Sequence, residues 1–425
     1  MNTSRCLSNI AALTLGLLLS CSSLAAAPSG PLLPTATPES VGLSGERLAR
    51  VDHYLEQQIA AGRTAGGVVL IARRGKVVHF KAFGSADLAS HRPMRTDDWF
   101  RLFSMTKPVT ATALLTLYEQ GKFQLTDPLS KYLPAFKGVK VYTGKGTNGE
   151  LLLEEPKRAI TIQDVFRHTA GFSYGYFGES EVDKAYRENG VDYFKSDSVQ
   201  QLTERLAKMP LAYQPGARFQ YSFSHDVQAA LIEVFSGMPV AEYCRKVIFE
   251  PLGMKDTAYG VPERVAARFP TGYSPTPEGK LAPAANPERY AHFTDHAMGG
   301  VGLSSTPADY LRFAQMLLNG GELGGVRILG RKTVQMMTTD QLIDAGIAEG
   351  YPGYGFGLGV GVLTNSVRNG NLSSAGQFGW SGIATTTVVI DPKEQLIALY
   401  FEQYLPEDRD LLDYFTTLVY QALVD

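Results

Sequence analysis

Strand-like segments lie near both ends of this 425-residue chain, and helix-like segments lie between them. Near the N-terminus, β-rich runs at 67–73 and 77–82 flank the tripeptide RGK, which predicts a β-hairpin. Near the C-terminus, strands are predicted at Tyr354–Val362, Gly376–Trp380, Thr385–Asp391 and Gln395–Tyr400. The pattern indicates an α/β domain, residues 31–115 and 300–425, interrupted by a mainly helical domain at 116–299.

The composition is that of an ordinary globular protein, with 44% apolar and 19% charged residues. A formal net charge of -2 and the lack of any long basic run argue against nucleic acid as a partner. We therefore do not expect nucleic acid as a partner. The sequence does not indicate the oligomeric state.

The first 25 residues have the order of a secretory signal peptide: Arg5, an apolar run at 10–19, and small residues up to Ala25 and beyond. The apolar run is too short to span a bilayer stably. The tetrapeptide LLSC, which ends at Cys21, resembles a bacterial lipobox, so lipidation of this cysteine stays open beside simple cleavage. We expect an exported protein, periplasmic or secreted, that is bound to the membrane only if Cys21 is lipidated.

Ser104 and Lys107 form the only S-x-x-K motif of the chain. The periodicity predicts a helix over 104–119, on which side chains three apart share a face, so the hydroxyl and the amine can meet. A serine becomes a nucleophile when a base takes its proton, and burial can keep a lysine neutral enough to do so. Chance produces about one S-x-x-K in a chain of this length, so a mere N-cap beside a solvated charge remains the alternative.

Tyr221 follows Pro-Gly on a predicted loop before a helix, where a hydroxyl could relay a proton. The motif order is S-x-x-K, then PGARFQYS, then GGVGLSSTPADYLRFAQMLLNGG, then FGWSGIATTTVVIDP. This order resembles the serine β-lactamase-related superfamily of class C β-lactamases, D-alanyl-D-alanine carboxypeptidases and family VIII carboxylesterases. The resemblance extends from about Glu39 to the end. It implies a β-lactamase/transpeptidase-like α/β fold, an antiparallel sheet flanked by helices with an inserted mainly helical domain.

The resemblance also implies roles for individual residues. Ser104 would be the acylated nucleophile, Lys107 its general base, and Tyr221 the group that assists proton transfer. No cofactor is implied.

A second group of implied site residues lies near the C-terminus. Trp380, Ser381 and Gly382 stand where the superfamily carries K-T-G or H-T-G on a strand beside the site. The backbone N–H of Ile383, with that of Ser104, would form the oxyanion hole.

Two departures from the superfamily bear on the substrate. Penicillin-recognising members have Tyr-x-Asn, whereas this chain has Tyr221-Ser222-Phe223 and so lacks the amide. Trp380 replaces the cation that would receive a substrate carboxylate. Both departures resemble family VIII esterases and favour a neutral ester.

Other candidate residues are assigned no chemistry. Ser173 fits G-x-S-x-G, but that motif requires a strand before the serine, and here a helix precedes it. His292 and His296 lack an acidic third ligand, so no metal is expected. Cys244 is the one cysteine left after signal removal and is expected to be buried. Asp226 is expected to stabilise the start of its helix.

The motifs and the resemblance therefore predict a serine hydrolase that forms an acyl-enzyme from a small-molecule ester or amide substrate, with a carboxylesterase on short-chain or aryl esters as the first choice. One alternative is a β-lactamase or D-amino-acid peptidase on the same scaffold. An alternative of another class is a non-catalytic, penicillin-binding-like sensor of the cell wall.

Overall fold

The computed structural model describes residues 33–284, 296–342 and 351–425. The predicted signal segment, with Cys21, and also His292 lie outside the described residues. None of the helices in the described part of the chain has the length and apolar character of a membrane span.

The strands are short except for the first hairpin and the last pair. In chain order they are β1 (Gly66–Arg73), β2 (Lys76–Asp87), β3 (Arg92–Pro93), β4 (Phe100–Arg101), β5 (Val141–Lys145), β6 (Leu151–Glu154), β7 (Thr257–Tyr259), β8 (Tyr273–Pro275), β9 (Leu281–Pro283), β10 (Leu303–Ser305), β11 (Glu322–Leu323), β12 (Val326–Arg327), β13 (Tyr354–Phe356), β14 (Gly361–Leu363), β15 (Phe378–Gly382), β16 (Thr386–Asp391) and β17 (Leu396–Glu402).

The helices lie mostly between the two groups of long strands. They are α1 (Gly45–Ala60), α2 (Thr106–Glu119), α3 (Ile162–Phe166), α4 (Glu181–Glu188), α5 (Val199–Leu206), α6 (Ser224–Ser236), α7 (Val240–Cys244), which continues through a π-helical turn (Arg245–Phe249) into α8 (Glu250–Leu252), α9 (Pro307–Leu318), α10 (Arg331–Met337), α11 (Ser366–Asn369) and α12 (Arg409–Tyr420).

An eight-stranded antiparallel sheet joins the two ends of the chain. Its order is β13-β14-β15-β16-β17-β1-β2-β3, so the N-terminal hairpin is inserted beside the last strand. Val69 pairs with Tyr400 at that junction. The predicted hairpin and the antiparallel sheet are thereby confirmed.

Both faces of the sheet are covered, which explains why β1 is buried along its whole length. Alternate side chains point to opposite faces. Val69 and Ile71 pack with α1 and α12, whereas Val68 and Leu70 belong to the large apolar cluster that includes α2. Ser44 caps helix α1, because its side chain accepts a hydrogen bond from the third residue of the helix.

One predicted strand is two strands in the structure. The segment predicted as a single strand, Tyr354–Val362, forms β13 and the start of β14, which pair antiparallel. Gly359 has φ of +90°, a conformation that favours glycine and lets the chain reverse between them. The division into an α/β domain and a mainly helical domain stays a prediction.

Candidate active site

Ser104 lies in a single 3-10 turn, Phe103–Met105, that connects β4 to α2. The α-helix thus begins at Thr106, two residues after the predicted start. Phe103 has φ of +46°, which is uncommon for a residue other than glycine. This sharp connection sets Ser104 at the end of a strand and directly before the first turn of α2.

The amine of Lys107 contacts the hydroxyl of Ser104. Their Nζ and Oγ atoms are 3.0 Å apart, and Nζ also donates to the backbone oxygen of Gly300 at 2.8 Å. Lys107 is 0% exposed. Burial lowers the pKa of its amine to about 7, while the Asp226 carboxylate acts in the opposite direction. A substantial fraction of this lysine is therefore neutral near pH 7.

Asp226 has a further contact that the sequence did not indicate. It lies in the first turn of α6, as expected, but its carboxylate also accepts hydrogen bonds from the Gly300 N–H and the Tyr193 hydroxyl, both at 2.9 Å. Burial raises its pKa to about 6. Asp226 thus fixes the position of Gly300, whose carbonyl group accepts a hydrogen bond from Lys107.

The Tyr221 ring lies beside the amine of Lys107, whose nitrogen is 4.7 Å from the centre of the ring. Its hydroxyl accepts a hydrogen bond from Trp380 Nε1 at 3.2 Å. Burial raises the pKa of Tyr221, and hydrogen bonds with Ser104 and Trp380 oppose that shift only in part. Tyr221 therefore carries its proton at neutral pH.

The segment that follows Phe378 brings the second predicted group to the same place. Trp380 and Ser381 lie on β15, and Ile383 follows the strand with 37% of its surface exposed. A side chain on Gly382 would collide with the backbone oxygen of Leu102. Only glycine lets this strand approach the segment that carries Ser104 so closely.

A small apolar contact connects the Ser104 and Ile383 segments. Phe103 and Ala384, which adjoin these two residues, belong to one buried cluster. The structure therefore brings together all seven residues that the sequence singled out, Ser104, Lys107, Tyr221, Trp380, Ser381, Gly382 and Ile383.

The sequence analysis missed a pair of buried histidines, one of which packs on Tyr221. The His168 ring lies 4.9 Å from the Tyr221 ring and 4.8 Å from the His225 ring. His168 Nδ1 is 3.1 Å from the hydroxyl of Ser222. Burial lowers the pKa of both histidines well below its usual value, so they add no charge beside Lys107.

Ser173 occupies a different place in the fold. It lies in the loop between α3 and α4, is buried, and donates its hydroxyl hydrogen bond to Asp183. Its backbone N–H faces the hydroxyl of Tyr186. These contacts give Ser173 a structural role in the loop.

The remaining candidates carry no site. Cys244 is buried, as expected. His296 lies on the surface, 4.0 Å from Asp197. Across 33–284, 296–342 and 351–425 there is no group of three His, Cys, Asp or Glu side chains that could hold a metal ion.

Comparisons with known proteins identify the family to which the chain belongs. A family model described as Beta-lactamase matches residues 51–421. Protein Rv1367c of Mycobacterium tuberculosis is 32% identical over 361 residues, which cover 82% of this chain and 88% of that protein. Esterase EstB of Burkholderia gladioli is 30% identical over 352 residues, which cover 79% of this chain and 85% of that protein.

A solved structure shares the fold over nearly the whole length. EstCE1, described as a hydrolase with promiscuous acyltransferase activity, has a TM-score of 0.75 and 26% identity, with 88% of this chain and 99% of that chain covered. The predicted β-lactamase/transpeptidase-like fold is confirmed. The chain belongs to the beta-lactamase family and is a serine hydrolase with the β-lactamase fold.

Proposed function

We propose that this serine hydrolase is a carboxylesterase that works through an acyl-enzyme on Ser104. The observation that carries the proposal is the buried contact between Lys107 and Ser104, 3.0 Å long, with the lysine pKa lowered to about 7. A neutral amine at hydrogen-bond distance from a serine hydroxyl is the arrangement that general-base activation requires.

In the first step, the neutral amine of Lys107 takes the proton of Ser104 as its oxygen attacks the ester carbonyl. The carbonyl of Gly300 orients the amine, and Asp226 stabilises the ammonium that forms. The N–H groups of Ser104 and Ile383 stabilise the oxyanion of the tetrahedral intermediate.

In the second step, the intermediate collapses and the alcohol leaves. Tyr221 donates its proton to the departing oxygen and regains one from the ammonium of Lys107. Water then attacks the acyl-enzyme, gives its proton to the same groups, and releases the acid, which restores the Ser104 hydroxyl.

The walls of the site support a neutral ester over a β-lactam. Phe223, at the position of the superfamily's Asn, is 0% exposed, and Ser222 is held by His168 and Ser224. Trp380 presents an indole where a cation would receive a carboxylate. The esterase name of EstB, a relative at 30% identity, points in the same direction.

The test compares wild type, Ser104→Ala and the matched control Ser173→Ala on p-nitrophenyl butyrate and on a chromogenic cephalosporin. We expect Ser104→Ala alone to abolish ester turnover, with feeble or no cephalosporin cleavage by the wild type. If the wild type cleaves the cephalosporin faster than the ester, the assignment changes from esterase to β-lactamase. Loss of activity in Ser173→Ala alone would overturn the site assignment, and absence of acylation on either substrate would favour a sensor.

A further inference from the structure

A cleft of roughly 310 Å³ lies next to the candidate active site, between β15 and β16 on one side and the first two turns of α12 on the other. Trp380 and Ser381 line the cleft, and the indole N–H of Trp380 binds the Tyr221 hydroxyl. The cleft and the site around Ser104 therefore share Trp380. The size of the cleft is that of a small ligand site.

Aromatic rings form part of the wall. Tyr351 packs on Trp380 with ring centroids 5.6 Å apart, and Tyr354 also lines the cleft. Such rings offer broad apolar faces to the C–H groups of a ligand.

Amide side chains supply polar groups that lack partners within the described residues. Gln377 is 3% exposed. Its side-chain nitrogen lies 3.2 Å from the Tyr354 hydroxyl, whereas its side-chain oxygen has no hydrogen-bond partner among the described residues. Either orientation of this amide leaves one polar group unpaired. Asn369 binds the backbone oxygen of Pro352 through its nitrogen, and its oxygen is also unpaired among these residues. Buried groups of this kind gain free energy when a ligand pairs with them.

Two carboxylates and one guanidinium line the cleft. The Glu407 carboxylate has a hydrogen bond with Ser381 and lies 3.5 Å from the Arg409 guanidinium. Asp413 is exposed at the rim, where water and salt screen it. This arrangement favours a neutral ligand over an anion.

We propose that the cleft holds the alcohol part of the ester substrate and that this part is a neutral polyhydroxylated ring, such as one sugar unit. Each hydroxyl of such a ring both donates and accepts, which suits the unpaired amides, and the C–H faces of the ring suit the aromatic wall. A polyol enters an ester through one of its own hydroxyls, as the alcohol. The inference rests on the proposed esterase function.

The test uses two acetates of primary alcohols that carry a six-membered ring, one polyhydroxylated and one without polar groups on the ring: methyl 6-O-acetyl-glucoside and cyclohexylmethyl acetate. Both form the same acetyl-enzyme, so a difference in kcat/KM reports the alcohol part. We expect wild type to prefer the sugar acetate by about tenfold or more, and Gln377→Met and Asn369→Leu each to lower its kcat/KM by about tenfold. The cyclohexylmethyl ester should change by less than about twofold, and exposed Gln200→Met, the matched control, should change neither.

Two results would overturn the inference while the esterase function stands. One is the absence of any preference for the sugar acetate. The other is an equal loss of kcat/KM on both esters in Gln377→Met and Asn369→Leu. That result would mean that these two residues stabilise the local structure and do not bind the alcohol part.

If neither ester is hydrolysed, the result counts against the esterase proposal. A binding measurement then tests separately whether the cleft holds a sugar ring. Methyl glucoside is titrated into Ser104→Ala and into the double variant with Gln377→Met, and binding is followed by NMR. Binding that weakens in the double variant supports the cleft. No binding at millimolar concentrations overturns it.

Discussion

The amine of Lys107 is subject to two opposing influences. Burial favours its neutral form, whereas the Asp226 carboxylate favours the ammonium. The neutral amine is the base, so kcat/KM on a neutral ester should rise with pH through about 7. The pKa of Asp226 is raised only to about 6, so this carboxylate is mostly ionised across that rise.

Asp226→Asn should move the midpoint of this rise to lower pH. The amide removes the negative charge that stabilises the ammonium but can still accept the hydrogen bond from Gly300. The measurement is the pH profile of kcat/KM for p-nitrophenyl butyrate, with exposed Glu188→Gln as the control. A midpoint that stays in place or rises would contradict the assigned roles of Asp226 and Lys107.

Tyr221→Phe should reduce the rate in a manner that depends on the leaving group. The substitution keeps the ring that packs on Trp380 and removes the proton donor. Alkyl alcohols need that proton, and p-nitrophenol does not. We expect kcat for an ethyl ester to fall by about 10²-fold or more and kcat for a p-nitrophenyl ester to fall much less. Equal losses on both esters would show that Tyr221 does not protonate the alcohol.

At the scale of elements, the close approach of β15 to the turn before α2 determines the shape of the site. Gly382 faces the backbone oxygen of Leu102 and the hydroxyl of Thr386 where no Cβ fits. The end of β15 is therefore held against the segment that carries Ser104.

Gly382→Ala should push these two segments apart. The N–H groups of Ser104 and Ile383 would no longer converge, so we expect kcat to fall by about 10²-fold, as when one oxyanion donor is lost. The control is Gly138→Ala, because a Cβ there meets nothing within 4 Å. Steady-state kinetics and circular dichroism separate this effect from unfolding. Unchanged kcat in a folded variant would exclude the proposed oxyanion hole.

At the scale of the whole molecule, a carboxyl group lies buried where the N-terminal and C-terminal strands meet. Glu402 is 2% exposed and binds the hydroxyls of Thr64 and Tyr400. Burial raises its pKa from 4.5 to about 8. Between these pH values the folded chain keeps a proton that the unfolded chain releases, so the free energy of unfolding contributed by this group falls as pH rises.

Glu402→Gln should therefore stabilise the protein at about pH 8 and have much less effect at about pH 5. The amide keeps the hydrogen bonds and has no proton to release. Melting temperatures of both proteins across this range test the prediction, with Glu188→Gln as the control. A constant difference between the two melting curves would contradict a buried, protonated Glu402.

Much of the fold was predictable, because strands and helices are encoded by local periodicity. The N-terminal hairpin follows from neighbouring residues, and so does the helix predicted over 104–119, which is α2 apart from its first two residues. The strand at 354–362 was predicted wrongly because the turn at Gly359 separates two apolar segments that together resemble one strand.

The sequence by itself identified Ser104 and Lys107, whose contact spans only three residues, and the family resemblance added Tyr221 and the segment from Trp380 to Ile383. Only the tertiary structure decided the hydrogen bonds and the burial that set the position and the pKa of Lys107. Gly300 binds Lys107 across 193 residues, and Asp226 binds Gly300 across 74. Burial of Lys107 likewise depends on packing between distant elements. Contacts of this range leave no local pattern, because the chain folds them together only when the whole core forms.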